Sequence, residues 1–178
     1  MTDNTVQPAR KPRASRNYIN NRHFYEALVK YKADYEADNT IEMPTYIGQS
    51  ILQICTRLST KSNFSGYSTR DEMVGDAIEN CISAVRKFNP ERSDNPFAYF
   101  TQIAKNAMIR RIGRENIQLY VKHKNFERTG MAAELDDLGT QTARASLETS
   151  YGVIEKFETK HAEKRQEMLE KRAAKEEV

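Results

Sequence analysis

The chain has 178 residues, of which 30% are charged and 38% hydrophobic, and its formal net charge is +3. This length allows one domain with a real hydrophobic core, and the large charged fraction leaves room for tails. No apolar run approaches the roughly eighteen residues that span a bilayer, and no hydrophobic signal segment stands at the N-terminus, so we expect a soluble, intracellular protein.

The charges are unevenly placed along the chain. Residues 71–79 contain four acidic residues and no basic one, whereas residues 105–128 contain seven Lys or Arg against two Glu. A nucleic-acid binder of low net charge needs such an uneven distribution. Residues 1–16 hold four basic residues and almost nothing apolar, which predicts a disordered basic tail.

Two helices are predicted next. The first begins after Asn20 or Asn21, either of which can cap it, and ends near Asp38. The second opens at Pro44. Each has apolar residues at alternating steps of four and three. These residues are Phe24, Leu28, Tyr31 and Tyr35 in the first helix, and Ile47, Ile51, Ile54 and Leu58 in the second, with Leu52 and Cys55 beside them.

Residues 61–69 read as a loop in which Gly66 can adopt a positive backbone angle, while Phe64 and Tyr67 pin the loop to the core. The two cysteines, Cys55 and Cys81, lie on apolar stripes of predicted helices, which favours buried thiols over a disulfide.

A third helix is predicted over residues 71–88. Thr69 and Glu72 have the spacing of a capping box. The stripe predicted to face the core consists of Val74, Ile78, Cys81, Val85 and Phe88, flanked by Ala77 and Ile82. Glu72, Asp76 and Glu79 share a face turned away from the core. A solvated acidic face is the alternative interpretation of these three residues.

A fourth helix is predicted to start at Asn95-Pro96, with Asn as cap and Pro in the first helical position. Its inward residues are expected to be Phe97, Phe100, Ala104, Ala107 and Met108, and its other side carries Tyr99, Gln102, Ile103, Asn106 and Arg110. Amides and Arg can pair with base edges, an aromatic ring can stack on a base, and basic residues such as Arg111, Arg114, Lys122 and Lys124 can neutralise phosphates. This chemistry suits nucleic acid better than a small substrate.

Beyond Phe126 the periodicity weakens. Residues 129–150 read as a linker with at most a short helix, and residues 153–178 as a solvated, charged helix that includes the pair Glu167 and Lys171. No stretch alternates at period two, so we predict an all-helical fold.

Residues that could carry enzymatic or metal chemistry are scattered. His23, His123 and His161 are far apart and none has a ligand-type spacing with Cys or a carboxylate, so we predict no metal site and no cofactor. A metal-dependent nuclease would have to use Asp71, Glu72 and Asp76 with Asp136 or Asp137, and nothing in their spacing favours that.

Two segments, EMVGDAIENCISAVRKFNPER and AYFTQIAKNAMIRR, resemble the core segment of bacterial sigma factors, which docks on RNA polymerase and opens the promoter. The words NYINN at 17–21, NFSGY at 63–67 and NPFAY at 95–99 are similar to those of the late-transcription sigma factors of T-even-type phages. The resemblance covers roughly residues 17–125.

The resemblance implies an all-α, compact helical bundle of the sigma core-domain type. It divides the chain into a basic tail at 1–16, a helical core domain at 17–128, and a linker with a charged helical tail at 129–178. Within the core domain, residues 71–88 are expected to dock on polymerase and residues 96–116 to recognise the promoter.

The implied partners are the core of a host RNA polymerase, contacted at paired helices of its large subunit, and promoter DNA, especially the melted non-template strand. A phage coactivator is a further candidate partner. The implied place of action is the cytoplasm of the infected bacterial host, with no membrane contact.

The resemblance also implies roles for individual residues. The expected polymerase-binding residues are Glu72, Met73, Asp76, Glu79, Asn80 and Ile82. The expected DNA-binding residues are Tyr99, Gln102, Ile103, Lys105, Asn106, Arg110, Arg111 and Arg114. Among these, Tyr99 matches the aromatic wedge at the upstream edge of the melted promoter, and Asn106 matches a base-reading amide.

Three departures from the family pattern limit these expectations. Primary sigma factors have a tryptophan pair where this chain has Gln102 and Ile103. The second DNA-binding domain of those proteins has no counterpart here, so a short A/T-rich element near the start site is the expected target. The T-even relatives end in a hydrophobic motif that binds the sliding clamp, and the terminus KRAAKEEV does not support that contact.

Two other classes of function stay open at this point. One is a helical regulator that binds DNA or polymerase without opening promoters. The other is the disfavoured metal-dependent nuclease.

Overall fold

A computed structural model of the protein describes residues 19–176. Within that range the chain forms seven helices and no strand, which confirms the all-helical prediction. They are α1 (Asn21–Ala37), α2 (Thr45–Ser59), α3 (Ser62–Ser65), α4 (Arg70–Val85), α5 (Pro96–Arg128), α6 (Met131–Asp137) and α7 (Gln141–Glu176). The basic tail predicted at 1–16 lies outside the described residues. The chain divides into two compact units, of which unit 1 ends at Lys105 and unit 2 begins at Asn106.

The first two helices begin where the sequence predicts. The side chain of Asn20 accepts hydrogen bonds from the backbone N–H groups of Arg22 (3.0 Å) and His23 (3.3 Å), so Asn20 is the cap of α1. α2 packs against α1 and α4 and buries the predicted stripe. Leu52 does not join that stripe and is 50% exposed, because one step beyond Ile51 turns a side chain about 100° around the helix.

The segment at 61–69 is more ordered than the predicted loop. The carbonyl of Lys61 accepts from the N–H groups of Phe64 (2.8 Å) and Ser65 (2.9 Å), which closes the single turn of α3 around the buried Phe64 ring. Two details of the prediction are wrong. Gly66 has φ −86°, outside the left-handed region, and Tyr67 is 39% exposed.

α4 spans most of the predicted third helix, but its buried face is rotated. The buried residues are Met73, Ala77, Cys81, Ala84 and Val85, whereas Val74 and Ile78 are only half-buried and Ile82 is exposed. The predicted capping box is also wrong, because Thr69 occupies the cap position without a side-chain hydrogen bond and its ψ of 29° is not the extended conformation of a cap residue.

Two asparagine side chains, one just before α5 and one in α1, accept hydrogen bonds from the first backbone N–H groups of α5. Asn95 caps the helix through Oδ1, which accepts from the N–H of Ala98 at 3.0 Å. The N–H of Phe97 donates to Oδ1 of Asn21 in α1 at 3.1 Å, and Pro96 has no N–H to satisfy. The predicted Asn-Pro start is therefore confirmed, and Asn21 adds a tie between α1 and α5 that the sequence did not indicate.

Aromatic rings fill the centre of unit 1. Phe100 of α5 is fully buried, and its ring centroid lies 5.5 Å from that of Phe24 in α1 and 6.3 Å from that of Phe88, which follows α4. One buried ring thus joins the first helix, the end of α4 and the beginning of α5. Contacts of this kind contribute beyond the area they bury.

Both cysteines are buried free thiols, as predicted. Cys81 in α4 donates a weak hydrogen bond through Sγ to the carbonyl of Phe100 at 3.5 Å. A hydrogen bond with Cys55 and the burial of the site raise the pKa of the Cys81 thiol well above its usual range. Cys81 is therefore a core residue rather than a nucleophile.

In unit 2, the last helix begins much earlier in the chain than the charged helix predicted at residues 153–178. α7 starts at Gln141, where Thr140 Oγ1 accepts from the N–H of Ala143 at 3.2 Å, so residues 141–150 are not a linker. A buried stripe at steps of four, three and four explains this: Ala143, Leu147, Ser150 and Ile154. The short helix expected in the linker is present as α6, and it packs against α7.

Two glycines bound α6. Gly130 has φ +79° and Gly139 has φ +59°, and within residues 19–176 these are the residues in the left-handed region. Any side chain at these positions would strain the backbone. The helix breaks on either side of α6 therefore follow from glycine, as the weakening of the pattern indicated.

Removing the Phe100 ring tests the central role of the aromatic cluster. Phe100→Ala is expected to lower the free energy of unfolding by about 3–5 kcal/mol, because the ring is fully buried. Leu52→Ala is the matched control and should stay within about 0.5 kcal/mol, because half of that side chain is already exposed. Urea unfolding followed by helicity measures both, and equal effects would contradict the proposed core.

The cap of α5 gives a second stability test. Asn95→Ala should lower the free energy of unfolding by about 0.5–2 kcal/mol, since the N–H of Ala98 loses its acceptor. Asn95→Asp keeps an acceptor oxygen and should retain most of that free energy. Thermal or urea unfolding of the two variants compares them directly, and an Asp variant as unstable as the Ala variant would argue against capping.

Candidate functional site

α4 turns an acidic face to solvent. Glu72 and Glu79 are exposed and Asp76 is half-buried, and steps of four and three place these carboxylates on one side of the helix. Asn80 lies on the same side and donates its side-chain amide to the carbonyl of Asp76 at 2.7 Å. Ile82, at the edge of this face, is 46% exposed. The face combines negative charge with an exposed apolar residue, as a protein-binding surface does.

Met73 is the exception among the expected polymerase-binding residues. Its side chain has no exposed surface, because it lies on the rotated core face of α4 beside Ala77. A partner that docks on this conformation cannot touch it. Met73 is therefore a core residue, and the acidic face consists of the remaining five residues.

Tyr99 lies near the start of α5, and its ring packs against two other aromatic rings. Its centroid lies 5.3 Å from Phe88 and 5.1 Å from Phe100, both edge to face, and the ring is half-buried. Burial raises the pKa of the phenol, so the ring is neutral at physiological pH. A rigid ring with one open side is suited to stacking against a planar group.

The polar side chains of α5 continue from Tyr99 along one side of the helix. Gln102, Asn106 and Arg110 are exposed there, and Ile103 is half-buried. Tyr99, Gln102 and Ile103 belong to unit 1, whereas Asn106 and Arg110 belong to unit 2. In unit 1 this side of the helix presents an aromatic ring and an amide, and in unit 2 it presents an amide and a cation.

Two of the expected basic residues, Arg111 and Lys105, lie on other sides of the helix. Arg111 follows the buried row of Phe100, Ala104 and Met108, and its Nε forms an ion pair with Oε1 of Glu115 at 2.9 Å rather than a well-aligned hydrogen bond. Lys105 is exposed on another side of α5, whereas Arg114 is exposed one turn beyond Arg110 on the same side. The side with the ring and the amides therefore also carries two cations.

The sequence pattern did not indicate that Asn21 and Phe88 contribute to the site. Asn21 holds the first turn of α5 and Phe88 supports Tyr99, although neither is on the expected recognition face. The sequence did contain one signal for Asn21. Two asparagines stand side by side at a point where the helix needs only one capping residue.

Within residues 19–176, no group of three or more His, Cys, Asp or Glu side chains could hold a metal ion. In the same range, no helix is both long and apolar enough to cross a lipid bilayer.

Residues 48–117 match the family model described as Sigma-70 region 2. The matched segment contains α4, the first two-thirds of α5 and every candidate residue of both faces. Among curated proteins, none matches the chain. In sigma factors, which are non-enzymatic regulators of transcription, region 2 binds the RNA polymerase core and promoter DNA and takes part in promoter melting. The match shows that residues 48–117 of this chain are similar to Sigma-70 region 2.

Proposed function

We propose that this chain is a phage-encoded sigma factor that binds the core of a host RNA polymerase and directs initiation at A/T-rich late promoters. The observation that carries the proposal is the match over residues 48–117, which includes an acidic helix face and a face with an aromatic ring, amides and cations. Its place of action would be the cytoplasm of the infected bacterium.

Polymerase binding is assigned to the acidic face of α4. Glu72 and Glu79 are exposed and Asp76 lies between them, so a basic surface of the large subunit would meet three carboxylates within two turns. Exposed Ile82 adds an apolar contact at the edge. The residues behind this face are buried, so docking requires no rearrangement of the core.

Promoter recognition and opening are assigned to α5. A flipped base would stack on Tyr99, whose ring is held by Phe88 and Phe100, and the amide of Asn106 would read a base edge. Lys105, Arg110 and Arg114, which are all exposed, would neutralise phosphates. Gln102 and Ile103 stand where primary sigma factors have a tryptophan pair, so the ring of Tyr99 alone would act as the wedge. An A/T-rich element would keep the free-energy cost of melting low.

A second candidate function is a helical regulator that binds polymerase or DNA without opening promoters. The single aromatic ring on the recognition face of α5 is the observation that favours it. Transcription from phage late promoters by purified core polymerase plus this chain separates the two functions. Specific transcripts support the sigma factor, and polymerase binding without initiation supports the regulator.

Charge reversal on α4 tests the docking surface. Glu72→Lys combined with Glu79→Lys is expected to weaken binding to core polymerase by at least about tenfold, because like charges facing each other across an interface cost several kcal/mol. The measurement is the affinity of the full chain for core polymerase. Both residues are exposed, so helicity should not change.

Asp34→Lys with Glu36→Lys is the matched control, since it reverses two exposed acids of α1 outside the family match. This control should bind polymerase as the parent does. Equal weakening by both pairs would show a general charge effect and contradict docking through α4.

Substitution of Tyr99 tests the opening step. Tyr99→Leu should impair promoter opening, because stacking of a base on an aromatic ring is worth about 1–3 kcal/mol and leucine offers no ring. Tyr99→Phe keeps the ring and should open the promoter as the parent does. Permanganate reactivity of single-stranded thymines on a late promoter measures opening in the presence of core polymerase.

Polymerase affinity is the internal control for both Tyr99 variants and should stay unchanged. If Tyr99→Leu opens the promoter as well as Tyr99→Phe, the ring is not the wedge.

A further inference from the structure

The second half of α7 is helical although little of the described structure covers it. Every side chain from residue 158 to residue 174 is exposed. A helix of this length that is surrounded by water is only marginally stable by itself. This stretch lies outside the segment matched by the family model, and the proposed function makes no use of it.

Charge is segregated around this part of α7. Glu163, Glu167 and Glu170 follow one side of the helix. The opposite side carries Phe157, His161 and Met168, and this stripe has basic residues along both edges, namely Lys160 and Lys164 on one and Arg165 and Arg172 on the other. The apolar side of the helix is thus also its positive side.

The stripe forms one wall of an open groove within unit 2. The groove has a volume of about 1010 Å³ and is lined chiefly by Tyr120 of α5 and by Phe157, His161, Arg165, Met168 and Leu169 of α7. Met168 and Leu169 are each 58% exposed. These two large apolar side chains are adjacent in the chain and offer exposed apolar surface at the groove.

Glu158, the acidic residue that lines the groove, already has partners for its negative charge. Glu158 accepts a hydrogen bond from the hydroxyl of Tyr120 at 3.1 Å and lies 3.4 Å from Nζ of Lys124. Lys164 and Arg165 therefore set the sign of the potential at the groove. Arg165 has no acidic residue three or four positions away on either side.

Ring geometry distinguishes between classes of ligand. Phe157 stacks on Tyr120 at 4.3 Å and contacts His161 at 4.2 Å. Two rings at these distances cannot share one face of Phe157, so both faces are occupied and a nucleobase cannot stack there. The remaining apolar surface comes from Met168 and Leu169, and flexible methionine side chains are suited to packing against a partner helix.

We propose that this groove is a docking site for an acidic amphipathic helix of a partner protein. Its apolar residues would pack between Phe157 and Leu169, a rise of about 18 Å or three turns, and its carboxylates would meet Lys164 and Arg165. The inference goes beyond the proposed function and is tested without polymerase or promoter DNA.

The probe is a synthetic helical peptide of about four turns with leucines along one face and glutamates on both flanks. A second peptide has lysines in place of the glutamates. Fluorescence anisotropy with the full chain should show saturable binding of the acidic peptide only, and this binding should weaken as salt is added.

Variants of the full chain locate the site. Lys164→Glu with Arg165→Glu should weaken binding of the acidic peptide at least about tenfold. Lys30→Glu with Lys61→Glu makes the same change in net charge at exposed lysines of unit 1 and should have no effect. Met168→Ser leaves the charge unchanged and should also weaken binding, and circular dichroism confirms that each variant keeps its helicity.

Four results would overturn the proposal. The first is equal binding of the acidic and basic peptides, and the second is acidic-peptide binding that persists unchanged in the Lys164→Glu, Arg165→Glu chain. The third is binding of a single-stranded oligonucleotide or an anionic phospholipid vesicle that depends on Lys164 and Arg165. The fourth is concentration-dependent dimerisation that buries Met168, which would make a second copy of this chain the occupant.

Discussion

Unit 1 depends on the contacts of one ring. Phe100 connects Phe24 of α1 with Phe88 after α4, and its backbone carbonyl accepts the thiol of Cys81 from α4 itself. Tyr99, the adjacent residue, leans on the same rings from outside. The residue assigned to stacking on DNA is thus positioned by the residues that close the core. Since the core fixes the direction of the Tyr99 ring, little ordering entropy is lost when a base stacks on it.

In the proposed function, α4 and α5 would perform two tasks with faces that do not compete. In each helix one side is buried and the other carries polar residues, so binding by one helix does not require surface from the other. The acidic side of α4 would attract a basic protein surface and repel phosphates, while the cations of α5 would do the reverse. Opposite charge on consecutive helices therefore helps to sort a protein partner from a nucleic acid.

Periodicity was sufficient to predict the longer helices of unit 1, because long apolar stripes at steps of three and four have few other solutions. It did not predict α3, a single turn that is too short to show a period. Periodicity was less reliable for predicting which side of a helix is buried. Val74 and Met73 both fit a stripe, and only the packing against α2 selects Met73 as the buried one. In unit 2, Ser, Thr and Gly at 139–150 suggested a linker, yet burial of Ala143 and Leu147 outweighs their low helix propensity. The bond from Phe97 to Asn21 joins residues 76 positions apart and has no local sequence signature.

Asn20 and Asn21 are neighbours in the chain that serve different helices, the first capping α1 and the second holding α5. The segment that matches Sigma-70 region 2 begins only at residue 48. A fragment cut at the limits of that match would lose Phe24 from the ring cluster and leave the N–H of Phe97 without its acceptor. The segment that matches the family model and the packed core of unit 1 therefore have different borders, and the core reaches back at least to Ile19, which is buried.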